Sequence, residues 1–178
     1  MITSKSRLNL FFSSVVGLCA FAASVVAAAQ APDQDSRVSA PLAGRATEAI
    51  DSDSERLVEI FKDIHQNPEL GFMEVRTAGI IANELEALGF EVKTGIAETG
   101  VVGIFRNGAG PTVMYRADMD ANAVEEATGL PYASTVRVRR EDGTESSVAH
   151  MCGHDAHVTW MLGMAKAMVS IKEDWSGT

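Results

Sequence analysis

Three stretches of the chain carry apolar residues at helical spacing, with polar residues between them. The first begins at Ser52 and is stopped by Asn67-Pro68. The second runs from Glu74 to Leu88, with Gly89 as its C-terminal cap, and the third begins at Asp155. The apolar positions are Leu57, Ile60, Phe61 and Ile64, then Val75, Ala78, Ile81, Ala82, Leu85 and Leu88, then Val158, Met161, Leu162, Ala165 and Met168. This spacing predicts three amphipathic helices.

Short β-prone runs lie between the second and third of these helices, at residues 90–94, 101–105 and 112–115. Turn-forming residues at 106–111 separate the last two runs, which predicts an antiparallel hairpin. Residues 121–149 are predicted to be mostly loop. Helices that alternate with strands indicate an α/β domain with a mixed sheet flanked by helices. Functional sites on such sheets lie beyond the ends of the strands.

The N-terminus has the pattern of an export signal. Lys5 and Arg7 precede an apolar run, Leu8 to Val26, that ends in three small residues before Gln30. We therefore expect residues 1–29 to be a signal peptide, and the mature protein to be periplasmic or secreted. A retained membrane anchor is the alternative, but the run is short and interrupted by Ser and Gly. Residues 30–51 are predicted to be a flexible lead-in, and residues 52–178 the folded domain.

The chain is acidic, with 15 Lys and Arg against 24 Asp and Glu and a formal net charge of −9. Loss of Lys5 and Arg7 with the signal makes the charge more negative still. This charge argues against nucleic acid, and against membrane surfaces after signal removal, as partners. Cys152 would then be the only cysteine, so an internal disulfide is excluded. A lone thiol in an oxidising compartment is a liability unless it is buried or bound to a metal.

The segment from Cys152 to His157 carries the strongest chemical signal. Cys152 and His154 are two residues apart, and Gly153 allows the backbone to turn so that both face one ion. His150 and His157 flank them, and Asp155 supplies a carboxylate that can orient an imidazole. We expect His150, Asp155 and His157 to contact and orient the metal ligands rather than to bind the ion themselves. The competing interpretation is a buried free cysteine beside unrelated histidines.

Asp118 and Asp120 follow the predicted strand 112–115. At i and i+2 they share a face, so one can bind an ion while the other fixes a neighbouring ligand. Solvated loop carboxylates are the alternative, although Arg116 is a ready partner. Thiolate, imidazole and carboxylate together suit zinc, manganese, cobalt or nickel rather than calcium or magnesium. Such an ion activates water and polarises a carbonyl, as amide hydrolysis requires. A Cys152 nucleophile activated by a histidine is the rival chemistry.

Four segments, in order, match a known pattern. They are Asp63-Ile64-His65-Gln66-Asn67-Pro68-Glu69-Leu70-Gly71-Phe72, Val113-Met114-Tyr115-Arg116-Ala117-Asp118-Met119-Asp120-Ala121, Thr128-Gly129-Leu130-Pro131-Tyr132-Ala133-Ser134 and His150-Met151-Cys152-Gly153-His154-Asp155-Ala156-His157. Over residues 53–178 the chain resembles the metal-dependent amidohydrolases that include hippurate hydrolase and the auxin-conjugate hydrolases. These are a branch of the aminoacylase and carboxypeptidase-type metallopeptidases.

The resemblance implies a hydrolase of N-acyl amino acids or related small amides, with two divalent metal ions per site. It implies that Cys152 and His154 are metal ligands. Related branches carry a His-x-Asp motif, a ligand and its supporting carboxylate, at the place of Asp118 and Asp120. Asp120 is therefore carried over as the supporting carboxylate and Asp118 as a candidate ligand. Asn122-Ala123 departs from the usual Leu-Pro, which leaves the shape of this loop open.

The resemblance also implies that the chain is the N-terminal part of a metallopeptidase-like catalytic domain. The general base, one of a Glu pair, the further His ligands and the lid domain would all follow Thr178. Glu125 and Glu126 lie in a different motif and are predicted to face solvent. We therefore expect the 178 residues alone to be inactive. A non-catalytic metal-binding or interaction module, and a thiol hydrolase, remain alternatives, and homo-oligomerisation stays open.

Overall fold

The computed structural model describes residues 39–139 and 143–178, so the predicted export signal lies outside the described residues. Four α-helices and four short strands lie in these ranges. In chain order they are α1 (Ala40–Asp51), α2 (Ser54–Gln66), α3 (Val75–Ala87), β1 (Glu91–Ile96), β2 (Gly100–Ile104), β3 (Arg137–Arg139), β4 (Glu145–Ser147) and α4 (His154–Ser170), followed by a 3-10 turn at Lys172–Asp174. No helix within 39–139 and 143–178 is long and apolar enough to span a membrane.

The three predicted helices are confirmed as α2, α3 and α4. Their apolar faces meet in one core, because the periodic positions of each helix point inward. The buried members of this core are Leu57, Ile60, Ile64, Ile81, Leu85, Val158, Leu162 and Ala165. Burying each large aliphatic side chain contributes about 1.5–3 kcal/mol. This core fixes α2 and α4 against each other, and both helices carry side chains of the site.

Helix α1 corrects the prediction that residues 30–51 are a flexible lead-in, since residues 40–51 are helical. Pro41 lies in the first turn, where the lack of an N–H costs nothing, and alanine recurs along the segment. Leu42, Ala46 and Ile50 are half-buried at intervals of one turn. Ile50 packs against the core, and α1 contacts α4. The apolar pattern of this segment is interrupted, but the segment still forms a helix because its half-buried side chains lie toward α4.

The predicted hairpin between residues 101–105 and 112–115 is wrong. Strand β2 pairs with β1 instead, antiparallel, with Glu91 opposite Ile104. Only residues 97–99 separate these strands, and closing so short a loop costs little chain entropy. Residues 107–113 contact the end of the chain: Asn107 bridges Gly177, and the amide of Val113 donates to the carbonyl oxygen of Thr178 at 2.9 Å.

The α/β class is confirmed, and the second small sheet joins β3 to β4, also antiparallel. The described parts of this region, residues 121–139 and 143–149, are otherwise mostly loop, as predicted. Parallel pairing occurs in the described ranges at an isolated bridge between Leu70 and Ala121. That bridge lies immediately beside the predicted metal-binding residues.

Candidate metal site

The segment that carries Asp118 and Asp120 is held from both sides by backbone hydrogen bonds. On one side the amide of Ala121 donates to the carbonyl oxygen of Glu69 at 2.7 Å. On the other, Asn122 and Ala149 exchange two hydrogen bonds at 2.9 and 3.0 Å. The turn after α2, the Asp118–Asp120 segment and the residues before Cys152 therefore lie side by side. Three segments that are distant in sequence meet at one site.

His154 is the first residue of α4 and is oriented by Asp120. Its Nδ1 lies 2.9 Å from both the backbone oxygen and Oδ1 of Asp120. Because a backbone carbonyl only accepts, Nδ1 carries the proton, and Nε2 of the neutral ring keeps its lone pair. This is the arrangement by which a carboxylate fixes a metal-binding imidazole. Asp120 thus lies where the predicted supporting carboxylate should be.

The donor atoms of Asp118, His154 and His157 lie within 4.8 Å of one another, and all three residues are half-buried. The two imidazole rings stack with centroids 5.3 Å apart, and Arg116 forms an ion pair with Asp118. Two imidazoles and a carboxylate fit a borderline divalent cation such as zinc or manganese. The predicted ligands Asp118 and His154 are therefore brought together. His157, predicted to support from behind, stands within reach of the same ion.

Cys152 is exposed, which contradicts the interpretation of a buried structural cysteine. Among the described residues it is not part of the group formed by Asp118, His154 and His157. Gly153 follows with a φ of 77°, a left-handed conformation that favours glycine, and then α4 begins. This turn places the thiol and the His154 imidazole at the same helix end. Cys152 as a ligand stays a prediction.

His65, near the end of α2, bridges two buried carboxylates behind the site. Its Nδ1 lies 2.6 Å from Oδ2 of Asp155, and its Nε2 lies 3.1 Å from Oε1 of Glu126. The Glu126 side chain is fully buried and also accepts from the Thr128 hydroxyl and, at 2.6 Å, from the amide of Ser134. The prediction that Glu126 faces solvent is therefore wrong.

Glu125, its neighbour, is exposed as predicted. Sequence reasoning placed Glu126 in solvent because its partners are remote: His65 lies 61 positions away. His65 had a signal of its own, since it stands in the first of the four motifs with apolar residues before it. No pattern within the chain assigned it a partner.

The buried group formed by the side chains of His65, Asp155 and Glu126 shifts the pKa values of two of its members. Burial lowers the pKa of His65, but the hydrogen bonds and charges of Asp155 and Glu126 outweigh it, so the pKa is raised above 6.5. Burial raises the pKa of Glu126, but the bonds from Thr128, Ser134 and His65 outweigh it, and the pKa is lowered below 4.5. Both shifts favour the charged forms of His65 and Glu126.

His150 is buried on the same side of the site, and within the described ranges neither of its ring nitrogens has a hydrogen-bond partner. Burial is the largest influence on the pKa of His150 and lowers it, so the ring is neutral near pH 7. Unpartnered ring nitrogens at a buried position are costly. The predicted supporting role of His150 has no hydrogen bond to carry it among these residues.

Comparisons with known proteins agree with the site. Residues 114–178 match the model of peptidase family M20/M25/M40. An IAA-amino acid hydrolase, ILR1-like 4 of Arabidopsis thaliana, is 42% identical over 122 residues, which are 68% of this chain and 26% of that protein. Hippurate hydrolase of Campylobacter jejuni is 42% identical over 113 residues, covering 63% and 27% of the two chains.

Among solved structures, the YXEP protein of Bacillus subtilis, a dinuclear metal-binding peptidase of the M20 family, superposes with a TM-score of 0.60. It is 34% identical and covers 69% of this chain, which in turn covers 33% of it. This chain is therefore similar to proteins named as hydrolases of amino-acid amides and to a dinuclear metal-binding peptidase of the M20 family, in agreement with the resemblance carried by its four motifs. It spans about a quarter of the length of the curated relatives just described.

Proposed function

We propose that the protein carrying this chain is a metal-dependent amidohydrolase acting on N-acyl amino acids or related small amides. The observation that carries the proposal is His154, whose Nδ1 is held by Asp120 and which offers a donor atom within 4.8 Å of donor atoms of Asp118 and His157. The relatives named for IAA-amino acid conjugates and for hippurate, both amides of amino acids, support this substrate class.

Each residue of the site has a task in this proposal. Cys152, His154 and Asp118 bind divalent ions, two per site, drawn from manganese, zinc, cobalt and nickel. The ions supply Lewis acidity toward water and the amide carbonyl. Asp120 holds the His154 ring in the tautomer that can bind. His157 stands where it can complete or support the ligand set.

No general base is proposed among the residues described. The Glu126 side chain is buried behind the site, but its carboxylate is occupied by His65, Thr128 and Ser134. A base must be free to accept a proton from the attacking water. Because the chain spans about a quarter of its curated relatives, the proposal places the base, the further ligands and the lid domain outside these residues. The 178 residues alone should show no chelator-sensitive turnover above a metal-only control.

The decisive experiment uses the complete protein with N-acyl amino acids as substrates. Metal is removed by chelation and restored, and Cys152→Ala is compared with Met151→Leu, an exposed neighbour. We expect Cys152→Ala to abolish metal-restored activity and lower the metal content, while Met151→Leu keeps both. Near-normal activity and metal content in Cys152→Ala would remove Cys152 from the site.

Two other outcomes separate the alternatives. Metal binding without turnover of any amide would support a non-catalytic module. Inactivation by alkylating agents together with indifference to chelators would support a Cys152 nucleophile. Export is a separate proposal, carried by Lys5, Arg7 and the apolar run up to residue 29. Mass spectrometry of the mature protein should then find an N-terminus near Gln30, and an intact Met1 on cytoplasmic protein would disprove it.

A further inference from the structure

The first turn of α4 carries His154 and His157, yet the residue that precedes the helix does not fix its direction. The residue before the helix is Gly153, which has no side chain, and the N-terminus of α4 lacks a side-chain cap. Most helix starts are held by a capping hydroxyl or carboxylate from the preceding residue. The orientation of these two imidazoles must therefore come from contacts with other parts of the molecule.

Asp155, the second residue of α4, makes such a contact, in addition to the bond between His154 and Asp120. Its Oδ2 accepts from His65 at 2.6 Å, and its Oδ1 accepts from the amide of Ala156 at 2.8 Å. Both carboxylate oxygens are thus occupied, and the residue is 2% exposed. Because one bond goes to α2 and the other to its own helix, Asp155 ties the first turn of α4 to the end of α2.

The His65 ring is itself held on its far side. Glu126 accepts from Nε2, so the ring cannot rotate without losing one bond or the other. Phe61 and Tyr132 pack around it, with ring centroids 5.7 and 5.4 Å from the imidazole. Apolar side chains would fill this space with less desolvation of charge. The arrangement is therefore better explained by orientation than by packing alone.

We propose that His65 is a positioning residue that acts through Asp155 to hold His154 and His157 at the metal site. Glu126 holds His65 in turn. His65 touches none of the candidate ligands, and its effect passes through the start of α4. This inference rests on the proposed metal site, and it concerns residues that stand behind the ligands.

The test compares three variants of the complete protein. His65→Gln removes the bridge, because a glutamine side chain cannot reach both carboxylates with the geometry of the ring. Tyr132→Leu removes ring packing against His65 but leaves both carboxylate bonds. Ile64→Val removes a methylene from the fully buried core beside His65 without touching the bridge. Cobalt is the probe, since its absorption reports both affinity and ligand geometry.

We expect His65→Gln to weaken cobalt binding by about 10-fold or more, the lower end for partners behind metal ligands. The cobalt spectrum at saturation should also change, because His154 no longer meets the ion at its native angle. Tyr132→Leu and Ile64→Val should bind cobalt with nearly native affinity and spectrum, even if they lower the melting temperature. Native affinity and spectrum in folded His65→Gln would overturn the proposal, as would equal losses in Tyr132→Leu.

A second measurement does not need the metal. Amide hydrogen exchange in the metal-free protein should accelerate in residues 150–158 of His65→Gln while residues 75–87 keep their protection. Unchanged exchange at 150–158 would contradict the positioning role. If His65→Gln does not fold, Glu126→Gln, which frees one side of the ring, is expected to give the same local pattern. If the wild type fails to bind cobalt, the proposed metal site is wrong, while the exchange result still decides whether His65 holds α4.

Discussion

The two sides of α4's first turn differ in how completely their polar groups are satisfied. Toward the surface, Asp118, His154 and His157 are half-buried, and Cys152 is exposed. Toward the interior, the side chains of His65, Asp155 and Glu126 are buried and every charged oxygen or nitrogen of their bridge has a partner, whereas the buried His150 nearby lies outside the bridge and has none among the described residues. The outer side can accept an ion and further ligands. The inner side is closed, and its role is to hold the outer side in place.

The difference teaches why a metal site needs a rigid support. Ligands that converge on an ion must stay close together before it binds, although their charges and desolvation work against that. A network whose members are fully paired resists rearrangement, whereas a half-satisfied one does not. Glu69 extends the same support, because its carboxylate accepts from the amides of Arg76 and Thr77 at the start of α3. Its backbone oxygen also holds Ala121.

The largest effect is expected on the inner side, where His65 bridges Asp155 and Glu126. Glu126→Ala leaves His65 with one carboxylate and removes the acceptor for Ser134, and breaking a buried pair in this way costs about 3–5 kcal/mol. Glu125→Ala, at the exposed neighbouring position, should change stability by less than about 0.5 kcal/mol. Urea unfolding of both variants measures the difference. Equal stabilities would show that the buried bridge adds nothing.

The outer side, which carries Asp118, His154 and His157, is tested by Asp120→Asn. The amide keeps the shape of the carboxylate but lowers its strength as an acceptor for Nδ1 of His154. We expect metal affinity to fall by about 10- to 100-fold with little loss of stability. Competitive chelator titration provides the affinity, and Asp174→Asn, whose carboxylate pairs with Arg45 at the surface, is the control. An affinity equal to wild type would mean that Asp120 does not orient the ligand.

These contrasts mark the limit of sequence reasoning. The spacing of apolar residues predicted α2, α3 and α4, because the buried face of each helix can be read from the sequence of that helix alone. It failed for residues 112–115, where an apolar run suggested a strand although Val113 and Met114 are 79% and 87% exposed and no described strand includes them. A local pattern does not contain the partner that a strand needs.

The site shows the same division. His154, Asp118 and Asp120, which motif spacing singled out, are brought together in the structure, while Cys152 as a ligand stays a prediction. Glu126 was missed because a Glu-Glu pair in a loop is usually solvated, and only His65 and Ser134, brought together by folding, make burial of its side chain tolerable. The sequence around His65 does not indicate its hydrogen-bond partner Asp155, which lies 90 positions away.

The pH dependence of stability sharpens the comparison, because the shifted pKa values of His65 and Glu126 on the inner side link their ionisation to folding. The pKa of His65 is raised above 6.5, so its contribution is complete below 6.5 and is lost as pH rises through the folded value. The pKa of Glu126 is lowered below 4.5, so its contribution is complete above 4.5 and is lost as pH falls through the folded value. Both are therefore fully present between pH 4.5 and 6.5.

Unfolding free energies of the metal-free protein measured across that window and above it should show a decline on the alkaline side. His65→Gln should lose this decline while keeping the response of the remaining groups. Comparing the two curves isolates the imidazole from the other histidines. A decline of the same size in His65→Gln would assign it to another group and contradict the raised pKa.

The smallest expected effect concerns the link between the two sides. The Asn122 side chain accepts from the amide of Met151 at 3.2 Å, one residue before Cys152, and a leucine at this position cannot do so. Met151 is exposed, so water replaces the lost partner and Asn122→Leu should cost about 0.5–1 kcal/mol. Asn122→Asp keeps the acceptor and is the matched control. Because the backbone bridge to Ala149 remains, we expect metal affinity to change by less than the stability does. A loss of metal binding in Asn122→Leu as large as that in Asp120→Asn would show that this side chain, rather than the backbone bridge, holds Cys152 in place.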